Sequence, residues 1–229
     1  MTEPTLILVC KKPAPGIGKQ RLAANLGNEM TQKVAEALLA CALEDACNWP
    51  GPVAIAPASM ADIEWARAFS APIPSPVVVV PQVAGNLGQR LNALDQIVRA
   101  QGMKQLVFIG SDSPGLDTAD YAAVRAALQH ADIVLIPALD GGVVLMASRC
   151  AWPDLSALPW SSDQLGAALI DACRSAKQSV KILGQGTDVD EIGDFVKLVN
   201  LLKHDQRPAR RALLELTKNI LSTLKIANA

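Results

Sequence analysis

Hydrophobic positions along this chain fall into two kinds of run, and the two alternate. Short, almost unbroken apolar stretches predict strands at 5–9 (TLILV), 53–56 (VAIA), 77–80 (VVVV), 106–110 (LVFIG), 132–137 (DIVLIP), 143–147 (VVLMA) and 180–183 (VKIL). Between them, longer segments with apolar residues at helical spacing predict helices over 29–47, 60–70, 87–101, 118–130, 163–177 and 191–203. Strands that are apolar on both faces need cover on both sides, as in a parallel sheet between helices. The expectation is an α/β fold, a single-domain, mostly parallel, doubly wound sheet of about seven strands. The proline patch at 71–76 reads as a loop before the third strand. After Asp205, Pro208 opens a further helical pattern in which Leu213, Leu216, Ile220 and Leu224 recur on one face. The main domain is therefore expected over 1–204 and a helical extension over 205–229. The apolar stripe of the extension is expected to pack on its own domain, with a homodimer contact as the second reading.

Composition narrows the class. Aromatics make up only 3% of the 229 residues, so a core must be built from Leu, Ile, Val and Ala. A net charge of −1 argues against nucleic acid as the main partner, because no chain-wide cationic surface is implied. No apolar run approaches the roughly 20 residues a membrane span needs, and the apolar N-terminal stretch is too short for a signal peptide. The 5 cysteines include no Cys-x-x-Cys pair, and the 2 histidines are far apart, which disfavours a zinc site. Buried, reduced thiols in a cytoplasmic protein are the expectation.

In an open α/β sheet, ligands sit beyond the carboxyl ends of the strands. After the first strand comes CKKPAPGIGKQRL, with Lys11, Lys12, Lys19 and Arg21 among glycines and prolines. After the fourth comes Gly110-Ser111-Asp112-Ser113-Pro114; after the fifth, Ala138-Leu139-Asp140-Gly141-Gly142; after the last, Gly186-Thr187-Asp188-Val189-Asp190. One basic and three acidic loops would gather at one rim. Cations for phosphate and carboxylates for a hard divalent ion are the parts of a nucleotide-diphosphate site. The basic loop is not a P-loop, since Pro13 and Gln20 occupy a required glycine and a required Ser/Thr position. Nor is it a dinucleotide fingerprint, since Arg21 takes the last glycine place.

Each acidic loop also has a plain structural reading. Asp112 suits a turn or helix cap, Asp140-Gly141 a hairpin turn, and Asp190 a cap before Glu191 and Asp194. Asp188 and Asp190 alternate along an extended segment and are expected to face opposite ways, so only Asp190, nearer the helix start, is expected to reach the site. GNLGQRL (85–91) opens the middle helix with Asn86 as cap, or meets a base or ribose through Gly88 and Arg90. Trp160 is read as core first and as a stacking wall second.

In this order the motifs resemble a glycosyltransferase-like family with the GT-A type nucleotide-diphospho-sugar transferase fold. That family's pattern runs K-x-P-x-P-G-x-x-K-T-R-L, G-D-L-G-E-R-L, G-T-D-C-P-x-L, D-G-G-Y-Y-L, P-W-S-T and D-V-D-T-P-E-D-L. Here Lys12, Pro13, Pro15, Gly16, Lys19, Arg21 and Leu22 are in step, followed by GNLGQRL, GSDSPGL, DGGVVL, PWSS and DVDEIGDF. Gln20, Gln89, Ser113 and the pair Val143-Val144 depart from the pattern, the last replacing two tyrosines. The phospholactate guanylyltransferases are similar at the first and last motifs. The resemblance implies a nucleotide or nucleotide-sugar substrate and Mg²⁺ or Mn²⁺. Asp112 and Asp190 would hold the metal, and Lys12, Gly16, Lys19, Arg21, Gly88, Arg90, Gly141, Gly142 and Trp160 would contact the nucleotide-linked ligand. Asp140, with Asp112, would be catalytic. A nucleotidyltransferase releasing pyrophosphate, or a non-catalytic nucleotide binder, are the alternatives.

Overall fold

The computed structural model describes residues 3–224, so residues 225–229 of the expected extension lie outside it. Seven strands form one sheet: β1 (Thr5–Cys10), β2 (Val53–Pro57), β3 (Val77–Val79), β4 (Leu106–Ile109), β5 (Ile133–Pro137), β6 (Val143–Ser148) and β7 (Val180–Ile182). Their order is β3-β2-β1-β4-β6-β5-β7, and only β6 runs antiparallel to its neighbours β4 and β5. The β5–β6 pair is a hairpin closed at Asp140-Gly141-Gly142, where Ala138 N–H donates to the Gly142 carbonyl at 3.0 Å. Every other pairing in the sheet is parallel.

The helices are α1 (Gln20–Leu26), α2 (Asn28–Asn48), α3 (Ile63–Ser70), α4 (Leu87–Ala100), α5 (Thr118–Ala127), α6 (Leu165–Ser175), α7 (Ile192–Leu201) and α8 (Pro208–Thr223). Alternation along β1 sorts them onto two faces. Leu6, Leu8 and Cys10 pack with residues of α2, α3 and α5, whereas Ile7 packs with Leu91, Leu94 and Val98 of α4 and with Leu169 and Cys173 of α6. A third apolar cluster joins α1, α2, α7 and α8 through Leu22, Val34, Leu38, Phe195, Leu213 and Ile220. Leu213, Leu216 and Ile220 of the stripe are thereby packed against this chain's own helices, while Leu224 is exposed.

One element departs from the sequence reading. The basic loop does not run on to Leu22; helix α1 starts at Gln20. No Ser, Thr, Asp or Asn marks that start. Lys19 caps the helix in the left-handed region, at φ 50° and ψ 37°, with no side-chain capping bond. The thiols are partly as expected: Cys10, Cys41 and Cys173 are buried, and Cys47 and Cys150 are half-buried. Burial pushes the thiols of Cys10, Cys41 and Cys173 up to about 12. They are packing residues rather than nucleophiles. Among the described residues no helix is long and apolar enough to cross a membrane.

Candidate active site

β1 sends its connection to β2 on one side, while its other neighbour β4 is reached by the crossover through α4. The gap between the carboxyl ends of β1 and β4 is therefore the topological switch point, where open α/β sheets bind ligands. A cleft of about 630 Å³ opens there. One wall is the basic loop, with Lys11, Lys12 and Lys19; the other carries Asp112, Asp190, Asn86, Arg90 and Trp160.

Lys19 is the hub of this cleft. Its ammonium lies 2.8 Å from Asp112 Oδ2 and 3.1 Å from Asp190 Oδ1, and its side chain is only 7% exposed. Burial pulls the lysine's pKa down, but the two carboxylates outweigh burial and hold it above the ordinary value. The preceding turn makes this reach, with Gly16 at φ 74°, Gly18 at φ 70° and Lys19 itself at φ 50°. A lysine held in that region is strained by roughly 1–3 kcal/mol, a cost that persists where surrounding contacts fix it. The sequence reading puts Lys19 on phosphate; the structure gives its ammonium to two carboxylates.

Asp112 and Asp190 meet because of the backbone. Val189 N–H donates to the Asp112 carbonyl at 3.0 Å, which docks the 186–191 segment against the end of β4. Asp190 is free of capping duty, since Glu191 caps α7 in a reciprocal box with Asp194. Asp112 Oδ1 accepts from Ser111 Oγ at 3.0 Å.

Asp190 lines the main cleft as expected, while Asp188, expected to face away, lines an adjoining cavity that shares Asp112 with the cleft. In a non-helical run, residues two apart share a side. Buried Val189 turns into the α1–α2–α7–α8 cluster, while Asp188 and Asp190 stay together. Burial is the main cause that pushes the Asp188 carboxyl up to about 6, followed by the nearby charges of Asp140 and Asp190. Asp188 thus borders the cleft without lining it, and the i, i+2 spacing was the signal for its nearness.

Several expected contacts fall elsewhere. Arg21 reaches Glu191 at 3.2 Å on the surface. Asp140 Oδ1 accepts from Gly142 N–H at 2.9 Å inside the hairpin turn, so it bears on the cleft through its charge on Asp188. Gly16 lies in the exposed turn, its carbonyl taking a bond from Gln20 Nε2 at 2.7 Å. The glycines at 141 and 88 are explained by the chain itself. A Cβ on Gly141, at φ 90°, would sit 2.0 Å from the Asp163 carbonyl oxygen, and one on Gly88 2.0 Å from that of Leu155. Gly142 is closed in by Asp140 and by Ala138, and Gly166 N–H donates to the Gly141 carbonyl at 2.9 Å. Trp160 packs against the core, with its Nε1–H donating to Leu155 O at 2.8 Å, and also lines the cleft.

Among the described residues no group of three or more His, Cys, Asp or Glu side chains forms a ready metal cage. Asp112 and Asp190 still suit a hard cation. Their side chains are 43% and 47% exposed, and each gives one oxygen to Lys19. Magnesium is typically held by one or two carboxylates plus phosphate oxygens and water.

A family model for uncharacterized proteins conserved in bacteria (DUF2064) matches residues 38–162, a span that includes Asp112, Asp140 and Trp160 but neither the basic loop nor Asp190. No curated protein matches the sequence. Among solved structures, a Desulfovibrio desulfuricans G20 protein named as a candidate nucleotide-diphospho-sugar transferase superposes with a TM-score of 0.85 at 24% identity, covering 98% of this chain and 99% of that one. A cytidylyltransferase from Leptospira borgpetersenii serovar Hardjo-bovis gives 0.52 at 12% identity, covering 100% and 98%. The 4-diphosphocytidyl-2C-methyl-D-erythritol synthase of Anaerococcus prevotii DSM 20548 gives 0.50 at 12%, covering 84% and 95%. At these identities the likeness is one of fold, and the fold is the nucleotide-diphospho-sugar transferase type.

Proposed function

This chain belongs to the DUF2064 family of uncharacterized bacterial proteins, and we propose that it is a divalent-metal-assisted transferase whose donor is a nucleotide-diphospho-sugar. The observation that carries this reading is the Lys19-bridged pair Asp112–Asp190 in the cleft between β1 and β4, facing Lys11 and Lys12. In this reading Lys11 and Lys12 hold phosphate oxygens, and the Lys19 ammonium passes from the carboxylates to the diphosphate when the donor enters. Asp112 and Asp190 would hold Mg²⁺ or Mn²⁺. The ion would supply charge neutralisation of the diphosphate and stabilisation of the departing nucleoside diphosphate. Asn86, Arg90 and the Trp160 ring flank the nucleoside. Asp140 raises the negative potential at Asp188, and so favours a cation at the acidic side of the cleft.

A second reading, a nucleotidyltransferase that releases pyrophosphate, is favoured by one observation. The Asp163 backbone fills the space that Gly141 leaves, so Gly141 does not open onto the nucleotide-linked ligand that the resemblance implies there, and no room for a sugar ring is made at that glycine. A thermal-shift comparison with Mn²⁺ separates the two, because a ligand specific for the native state raises Tm by mass action. A nucleotide-diphospho-sugar such as UDP-glucose or GDP-mannose is expected to protect more than the matching triphosphate. Asp112→Asn should remove the Mn²⁺-dependent part of that protection. Greater protection by a triphosphate, with pyrophosphate released in the presence of an acceptor, selects the second reading; protection by neither ends both.

A further inference from the structure

Beside the main cleft, and continuous with it across Asp112 and Trp160, lies a second cavity of about 250 Å³. Its walls are apolar: Leu91 from α4, Phe108 from β4, Val143, Val144 and Met146 from β6, and the Trp160 ring. Leu91, Phe108, Val144 and Met146 are all buried, so these side chains form the floor. The polar side chains on its lining are Asp112, Ser113 and Asp188. All three are more exposed than the floor, which puts them toward the mouth. No lysine, arginine or histidine lines it. Lys11, Lys12, Lys19 and Arg90 line the main cleft instead, Lys19 meeting the boundary through its pair with Asp112.

This distribution has a chemical consequence. An anionic or polyhydroxylated molecule entering the cavity would lose its water shell against aliphatic and aromatic walls that carry no cation, and at the mouth it would meet the Asp188 carboxyl and an Asp112 carboxylate whose charge is already paired with Lys19. A molecule with an apolar body is stabilised in proportion to the apolar surface it buries, and a hydroxyl at its near end can donate to a carboxylate. Small-molecule sites generally combine apolar walls with a few directed polar groups in this manner. The Val143-Val144 pair matters here, because paired tyrosines at these positions would add two phenol rings and two hydroxyls to the same wall.

We propose that this cavity is the acceptor pocket, and that the acceptor is an uncharged alcohol with a compact apolar body rather than a phosphorylated, carboxylated or sugar acceptor. The proposal rests on the transferase reading of the neighbouring cleft. Val143, Val144 and Met146 set the acceptor's specificity by shape and polarity, while Asp112 and Asp188 receive its hydroxyl at the boundary with the donor site.

The test uses full-length protein and benzyl alcohol as the probe, followed through the methyl signal of Met146 by NMR. Met146 lines this cavity and not the main cleft. Benzyl alcohol is expected to shift that methyl saturably, and glycerol, sodium benzoate and glycerol 3-phosphate to act at least tenfold more weakly. Val143→Tyr should fill the cavity and abolish the shift. Met146→Gln, which keeps length and adds polarity, should weaken binding about tenfold when read at the Trp160 indole N–H instead. Benzoate or glycerol 3-phosphate binding as tightly as the alcohol overturns the proposal, as does the absence of any saturable shift. Adding UDP-glucose or GDP-mannose with Mn²⁺ should leave the alcohol's affinity intact; competition between them would make the cavity part of the donor site and also overturn it. If the alcohol binds but no nucleotide does, the acceptor role falls with the donor reading, and the two failures are told apart by which ligand is silent.

Discussion

At the scale of single residues, the site is an arrangement of like charges held by one lysine. Asp112 and Asp190 meet at Lys19, which neutralises both, and Asp188 feels the charges of Asp140 and Asp190. Asp188 carries the unrelieved remainder, its carboxyl pushed up to about 6 by burial first and by Asp140 next. A raised carboxylate pKa means that the folded state holds the proton more tightly than the unfolded chain. Stability from this group is therefore greatest in acid and falls as pH rises from about 4 through about 6. Asp188→Asn is expected to raise Tm at pH 7 to 8 relative to the parent, with the difference shrinking toward pH 4. Tm measured against pH for both proteins checks this, and a pH-independent difference would assign the effect to packing. The side chain is partly solvated, so the gain is a few degrees at most.

At the scale of elements, α8 (Pro208–Thr223) is fastened to α2 by charges 165 and 166 positions apart in sequence. Arg210 is fully buried, and donates to Asp45 Oδ2 at 2.6 Å, to Glu44 Oε2 at 2.9 Å and to the Pro114 carbonyl at 3.2 Å. Asp45 also receives Arg207 at 3.0 Å and the Tyr121 hydroxyl at 2.9 Å. Removing one partner of a buried pair leaves an uncompensated charge, at about 3–5 kcal/mol. Arg210→Met is expected at the low end, about 3 kcal/mol, because Arg207 and Tyr121 remain on Asp45. Urea unfolding measures it, and Arg210→Met with Asp45→Asn should cost less than the sum of the two single changes.

Such long-range pairing is what a local reading of the chain misses. Strands such as β1, β2 and β6 were legible to within a residue or so, because a strand buried on both faces must be continuously apolar. The hairpin at Asp140-Gly141 was legible because turn chemistry is local. Helix α1 was not, since it begins on a left-handed lysine with no capping side chain and buries only Leu22. Glycines 88 and 141 leave room for a close approach, but sequence alone does not say whether a ligand or the chain's own Leu155 and Asp163 is what approaches. Asp188 was hidden by taking residues two apart to diverge, although extended backbone brings them to one side.

At the scale of the whole molecule, the cleft joins segments far apart in the sequence. Its cationic wall comes from residues 11–19 and its acidic wall from Asp112 and Asp190, with Lys19 spanning the gap to both carboxylates. A nucleoside diphosphate with Mn²⁺ would add further tethers, from both walls at once. Binding energy shared in this way suppresses local opening of every segment that contributes to it. Amide hydrogen exchange is therefore expected to slow together in two separated stretches, the basic loop with the start of α1, and residues 186–191 with the start of α7. The α6 helix and β7, whose residues do not line the cleft, should exchange as before. Slowing confined to the basic loop would show a surface that attracts phosphate by charge alone, with Asp112 and Asp190 outside the binding event. Slowing confined to the acidic segment would show a metal site without a nucleotide. Coupled slowing is the outcome that a donor bridging both walls requires, because neither wall alone closes the switch point between β1 and β4.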